Sequence, residues 1–418
     1  MLTQDTRAPP ALLPGSGPSD PAEVMTAMSI RRLPNFMNSA MLVLAAALPA
    51  AQLVAQVTPP APAPADTVRA IAKPRQPLPA EAASAGVTRY SFIVYGDTRG
   101  RRDGVDVQYE HSLIVDAMLR TIAARAAGPS PVKFILQSGD AVVNGRDAKQ
   151  WNVSFTGLIN RLTTEGGVPY FLAPGNHDVT SAAALDDPRR KEGLANYLRA
   201  VADLIPPDGA TRRLTGYPTY AFGYGNMFVL AFDSNIAADS VQFAWARVQL
   251  AGLDRKRYPL IVAFFHHPAV SSGPHGGSTV ERPTAAVRDQ WMPLFRKHGV
   301  QLLVTGHEHF FEHWVERYRG ADGAVRRMDQ LVTGGGGAPL YAYRGEPNLS
   351  AYLAASGADS ARVEHVVRPG PEAGNNPYHY VIVHVDGTRL SLEVQSVDWG
   401  VGFAPYRSNK ATLRDSVP

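Results

Sequence analysis

Six short apolar runs, Phe92–Tyr95, Phe134–Leu136, Tyr170–Leu172, Met227–Phe232, Leu260–Phe265 and Leu302–Val304, alternate along the chain with stretches of helical spacing. Apolar runs of this length read as buried strands. Between them Trp151, Phe155, Leu158 and Leu162 recur at intervals of three and four. Leu194, Leu198, Val201 and Ile205 do the same, and Val287, Trp291, Leu294 and His298 follow the pattern more loosely. Residues so spaced share one face of a helix. Strands alternating with helices predict an α/β domain. The last third changes character: Gln330–Thr333, Tyr380–Val385 and Leu390–Val397 are strand-like, with Asp386-Gly387 as a hairpin turn between the last two.

Five of the six runs end in a polar cluster. Gly96-Asp97-Thr98-Arg99 follows the first, Gly139-Asp140 the second, and Gly175-Asn176-His177-Asp178 the third. His266-His267-Pro268 and Gly306-His307-Glu308-His309 follow the last two. In open α/β sheets functional groups gather beyond the carboxyl ends of strands, so clusters far apart in sequence can converge there. Carboxylates, an amide carbonyl and neutral imidazoles are good ligands for Mn, Fe, Zn or Ni. The glycine that opens four of the five clusters lets the backbone turn sharply and approach closely. The chain has no cysteine, which excludes disulfides, thiolate catalysis and Cys-rich zinc sites. Any metal must be held by His, Asp, Glu or Asn. A net charge of +4 is too small to argue for a nucleic-acid partner.

The N-terminal region reads as targeting sequence. Arg31 and Arg32 precede an apolar stretch from Ala40 to Ala51, and small residues continue to Ala55. That order predicts a signal peptide over residues 28–55 and a secreted or periplasmic protein. The apolar stretch is shorter than the ~20 residues a membrane span needs. No span is therefore expected once the signal is removed, and a retained anchor is the alternative reading of the same stretch. Residues 1–27 form a leader of uncertain status, with Met25 and Met28 as alternative starts. Residues 56–86, with prolines at 59, 60, 62, 64, 74, 77 and 79, read as an extended linker that buries little. The folded domain is expected over 87–400, with 401–418 as a C-terminal tail. The sequence leaves the oligomeric state open.

The ordered set GD, GD, GNHD, HxP and GHxH resembles the calcineurin-like metallophosphoesterase superfamily. Tyr220–Phe228, Phe232-Asp233-Ser234, Gln242–Trp245 and Val332–Leu340 are similar to its secreted, purple-acid-phosphatase-like branch. The resemblance implies two packed mixed β-sheets flanked by helices and a centre of two divalent or trivalent metal ions. It implies that Asp140 bridges both ions, that Asp97 and His309 bind the first, and that Asn176, His266 and His307 bind the second. His177 would contact the phosphate and assist the leaving group, with Asp178 orienting its ring. A metal-bridging hydroxide would be the nucleophile, and a small phosphate mono- or diester the substrate. His267 reads as packed behind the ligands, Asp233 as structural support, Gly334–Gly337 as a tight turn near the site, and His275 as a residue that could line the cleft.

The match departs from the pattern at two positions. Arg99 stands where the family usually has a His, and Val143 where purple acid phosphatases have an iron-binding Tyr. Arginine cannot coordinate a cation but pairs well with phosphate, so Arg99 is expected to bind substrate beside a weakened first metal. Two alternatives stay open in the sequence: a nucleotide or cyclic-nucleotide phosphodiesterase, and a catalytically weak metal- or surface-binding protein on the same scaffold.

Overall fold

The computed structural model describes residues 67–180, 184–276, 280–347, 349–355, 362–397 and 412–417. The expected signal peptide and the leader before it lie outside these residues. The chain enters through β1 (Arg89–Tyr95), α1 (Tyr109–Arg125), β2 (Val132–Gln137), α2 (Thr156–Thr164) and β3 (Tyr170–Leu172). There follow the short α3 (Asn176–Val179), α4 (Pro188–Ala200), β4 (Tyr220–Tyr224), β5 (Met227–Ala231), α5 (Ser240–Ala251) and β6 (Leu260–Phe264). Then come α6 (Arg282–Ala286), α7 (Met292–His298), β7 (Leu302–Thr305), β8 (Phe311–Arg319), β9 (Val325–Thr333), α8 (Leu349–Ala355) and β10 (Arg362–Val367). The hairpin of β11 (His379–Asp386) and β12 (Arg389–Ser396) and the strand β13 (Thr412–Val417) end the described chain. The strands form two mixed sheets, one of six strands in the order β13-β12-β11-β1-β2-β3 and one of seven in the order β10-β8-β9-β7-β6-β5-β4.

Period-two alternation explains why the sheets stack. Met227, Val229 and Ala231 of β5 and Leu260, Val262 and Phe264 of β6 belong to the core shared with the first sheet. Their neighbours Phe228, Leu230, Ile261 and Ala263 belong to a second core with Leu250 of α5 and Leu294 and Phe295 of α7. Both faces of these strands are therefore covered, as continuous apolar runs require. Between the sheets Phe171 stacks on Phe222 with ring centroids 4.1 Å apart, and Phe134 meets Phe222 edge-on at 5.5 Å.

Four local expectations change. Residues 67–86 are packed rather than a free linker: Val68 and Ile71 are buried in the main core, Ile71 N–H donates to Ala200 O, and Glu81 pairs with Arg212. Apart from a single 3-10 turn at Glu81–Ser84, the proline-containing segment forms no helix or strand, yet it docks, because a chain with fixed φ loses less entropy when it is laid down. The expected tail contributes β13, which pairs antiparallel along the open edge of β12. The helix containing Leu194 and Leu198 stops at Ala200, and Val201 and Ile205 lie beyond it though both are buried. Pro206 and Pro207 follow, and the residue before a proline avoids helical backbone. In the β11–β12 hairpin Asp386 pairs with Arg389, so the turn residues are Gly387, with φ 62°, and Thr388.

Candidate metal centre

The five clusters follow β1, β2 and β3 of one sheet and β6 and β7 of the other, and their side chains converge. The turns that aim them are made largely by the functional residues themselves. Asp97, Asp140 and His307 have φ of 58°, 55° and 72°, a region that non-glycine residues seldom enter and that concentrates at functional sites. Of the preceding glycines, Gly139 has a positive φ of 106°. Gly306 serves by close approach instead, since a Cβ there would collide with the Asp97 carboxylate.

One half of the centre is built from Asn176, His266, His307 and Asp140. Asn176 Oδ1 lies 2.8 Å from His266 Nε2 and 3.1 Å from His307 Nδ1, and those two ring nitrogens are 3.1 Å apart. Asp140 Oδ1 is 3.4 Å from His266 Nε2. The opposite ring nitrogens fix the tautomers. His266 Nδ1 sits 3.0 Å from the Ser138 carbonyl, which can only accept, so the proton is on Nδ1 and Nε2 presents a lone pair. His307 Nε2 sits 3.0 Å from the Glu281 carboxylate, which puts the proton on Nε2 and the lone pair on Nδ1. Hydrogen bonds from His275 and His307 hold the Glu281 carboxyl well below the usual range, so it is ionised. Two lone pairs and an amide oxygen thus face one another without a proton between them. Burial pushes His266 down to about 3 and also lowers His307, which keeps both imidazoles neutral. A cation is what such a donor set fits.

The other half holds Asp97, Asp140, His309 and Arg99. His309 Nδ1 donates to Pro339 O at 2.7 Å, and its ring stacks on Tyr341 at 4.1 Å, so Nε2 faces the centre. Burial and the charge of Arg99 push His309 down to about 3. Asp97 Oδ1 is 3.7 Å from His309 Nε2. Arg99 joins Asp140 to His309: its Nε donates to Asp140 Oδ2 at 3.3 Å and its Nη2 to His309 Nε2 at 3.2 Å. Burial and the charge of Asp140 raise the Asp97 carboxyl. Burial would raise Asp140 as well, but the charge of Arg99 and the backbone N–H of His177 lower it, and the carboxyl lies below its usual range.

His177 stands at the partly exposed rim. Its backbone N–H donates to Asp140 Oδ1 at 3.0 Å and its Nδ1 to Val143 O at 2.7 Å, so Nε2 is the nitrogen that can carry a proton to or from a ligand. Asp178 does not orient that ring. Its carboxylate turns back to accept from Gly175 N at 2.8 Å, Ala141 N at 3.0 Å and Val142 N at 3.3 Å. As the third residue of α3 it closes a capping interaction on the helix start, and so clamps the Asp140 and Asn176 loops together.

His267 lies behind the centre, with Nδ1 2.9 Å from Ser234 Oγ. Asp233 forms a buried ion pair with Arg190 and takes no part in the cluster. The loop from Gly334 is a support: Gly336 N–H donates to Gly96 O and Ala338 N–H to Asp97 O. Sequence reasoning missed Glu281, which carries no motif, and Tyr341, one residue beyond the Val332–Leu340 segment. It named His275, whose Nδ1 is 3.1 Å from Glu281 Oε1. Among the described residues, the ligand atoms of Asp97, Asp140 and His266 lie within 4.8 Å of one another, as do those of His266, His267 and His307 and those of His275, Glu281 and His307.

Over 158 residues the chain is 24% identical to the uncharacterized protein Rv2577 of Mycobacterium tuberculosis, a match covering 34% of this chain and 27% of that protein. Among solved structures it is similar to purple acid phosphatase PPD1 from yellow lupin (Lupinus luteus) seeds, with a TM-score of 0.54 and 18% identity over 75% of this chain and 53% of that one. It is also similar to GAP50, the anchor in the inner membrane complex of Plasmodium, with a TM-score of 0.44 and 15% identity over 75% of this chain and 86% of that one. The chain thus spans about a quarter of the curated relative and about half of the lupin enzyme. Residues 91–311, more than half of the sequence and including all five clusters, match the model of one family: the chain belongs to the calcineurin-like phosphoesterases.

Proposed function

We propose that this protein hydrolyses small phosphate esters in a metal-dependent reaction at the centre formed by Asp97, Asp140, Asn176, His266, His307 and His309. The observation that carries the reading is the convergence of Asn176 Oδ1, His266 Nε2 and His307 Nδ1, three acceptors within 3.1 Å that no proton joins. Asp140, Asn176, His266 and His307 would hold one ion, and Asp97, Asp140 and His309 are the donors on the other side. A bound ion supplies an acidified water and a clamp on phosphate oxygens. Arg99 offers its remaining N–H groups to the phosphate, for which a planar fork is well matched. For hydrolysis the bond from phosphorus to the ester oxygen must break as a water oxygen is added; His177, protonated on both ring nitrogens with Nδ1–H held by Val143 O, would deliver its Nε2 proton to the leaving alkoxide. Asp178 acts through the backbone, by fixing the loops that carry Asp140 and Asn176. The charge order of residues 28–55 supports export to the periplasm or beyond. Among the described residues no helix is long and apolar enough to cross a membrane.

The test is an activity screen of the purified protein with mono-, di- and cyclic phosphate substrates, after chelation and with Mn, Fe, Zn, Mg or Ni restored in turn. Activity that returns with one of these metals is expected. Full activity in the chelated protein, or none under any condition, would refute the reading.

A further inference from the structure

The two halves of the centre differ in one respect. In the Asn176 half, acceptor faces acceptor. In the Asp97 half, the acceptors are already served: Asp140 Oδ2 receives Arg99 Nε–H at 3.3 Å and His309 Nε2 receives Arg99 Nη2–H at 3.2 Å. The donor set of that half therefore does not fit a metal ion while Arg99 is in place. We propose that the Arg99 guanidinium is a built-in replacement for the first metal, so that the centre takes a single divalent ion, held by Asp140, Asn176, His266 and His307. The inference rests on the metal-dependent reading above and deepens it.

Three features support the replacement. First, Arg99 lies two residues after Asp97 on the same loop, so a short backbone path delivers its side chain inward, where it is only 17% exposed. Second, the His309 tautomer fits an arginine partner. Its Nδ1 proton is committed to Pro339 O at 2.7 Å, and the lone pair on Nε2 then accepts from the guanidinium. Third, arginine keeps its charge at any working pH and repels a second cation brought within a few ångströms. A guanidinium in this place gives the phosphate an electrophilic partner opposite the metal without needing an ion to be captured. Asp140, which would otherwise join two ions, joins one ion to one guanidinium.

Metal stoichiometry tests this independently of turnover. The purified full chain is equilibrated with excess Mn(II) and desalted, then measured by plasma mass spectrometry and electron paramagnetic resonance. The proposal expects one Mn per chain with the six-line signal of an isolated ion. In Arg99→His, which removes the guanidinium and adds a ligand, it expects two per chain and the signal of an exchange-coupled pair. Arg99→Ala supplies the same comparison if the histidine variant does not fold. Two coupled ions in the wild type would overturn the replacement while leaving the metal-dependent reading intact. One ion in both wild type and folded variants would also overturn it, since Arg99 would not be what limits the count. No bound ion in the wild type would overturn both.

Discussion

Glu281 is the sharpest probe of how the centre is held, because no motif marks it. Its carboxylate oxygens lie 3.0 Å from His307 Nε2 and 3.1 Å from His275 Nδ1. A carboxylate in that position fixes the His307 tautomer with the lone pair on Nδ1, 3.1 Å from Asn176 Oδ1, and raises the basicity of that nitrogen. Glu281→Gln keeps the volume but removes the charge. Its amide can satisfy the ring in either orientation, one of which places the His307 proton on the nitrogen that should bind metal. Losing an outer partner of this kind costs about 10–100-fold in metal affinity, or roughly 1.4–2.7 kcal/mol. Glu281 is 36% exposed, and solvent screening favours the lower part of that range. Competition of the protein with a fluorescent chelator for Zn(II) gives the affinity directly. Unchanged affinity in a folded Glu281→Gln variant would refute the reasoning that this contact sets the His307 tautomer.

Three further outcomes are expected. His177→Ala should lose about 10²–10⁴-fold in turnover while keeping its metal, because its ring hydrogen-bonds Val143 O instead of joining the donor cluster; kinetics paired with metal analysis checks this. Asp233→Asn should cost about 3–5 kcal/mol in chemical denaturation, since it leaves the buried Arg190 guanidinium without its countercharge. Burial pushes the Glu312 carboxyl from 4.5 up to about 7, so between those values the folded state binds more protons than the unfolded one and stability falls as pH rises. Glu312→Gln removes that loss, and its melting temperature relative to wild type should be higher at pH 8 than at pH 5; a pH-independent difference would contradict the assignment.

Much of this centre was legible in the sequence because its donors sit at strand ends, where apolar runs stop abruptly at Asp97, Asp140, Asn176, His266 and His307. Two-sided burial made those runs readable, and the topology brings their ends together. Other features left no comparable trace. Glu281 stands just before the short α6, outside any strand end, and reaches His307 only through the path of its loop. Asp178 follows His177 directly, and adjacency suggested a ring contact, but helical geometry at α3 turns the carboxylate back onto Gly175 N–H. Residues 67–86 read as linker because prolines hide the two apolar anchors, Val68 and Ile71, that seat the segment. Arg99 was marked by its departure from a pattern, yet only the structure shows its guanidinium on both Asp140 and His309.

The most direct test of the metal centre is an anomalous difference map from crystals of the protein grown or soaked with Mn(II) or Zn(II). A peak about 2 Å from Asn176 Oδ1, His266 Nε2, His307 Nδ1 and an Asp140 oxygen is the predicted result. A map with no peak among those four atoms at saturating metal, or with the ion bound elsewhere, would contradict it.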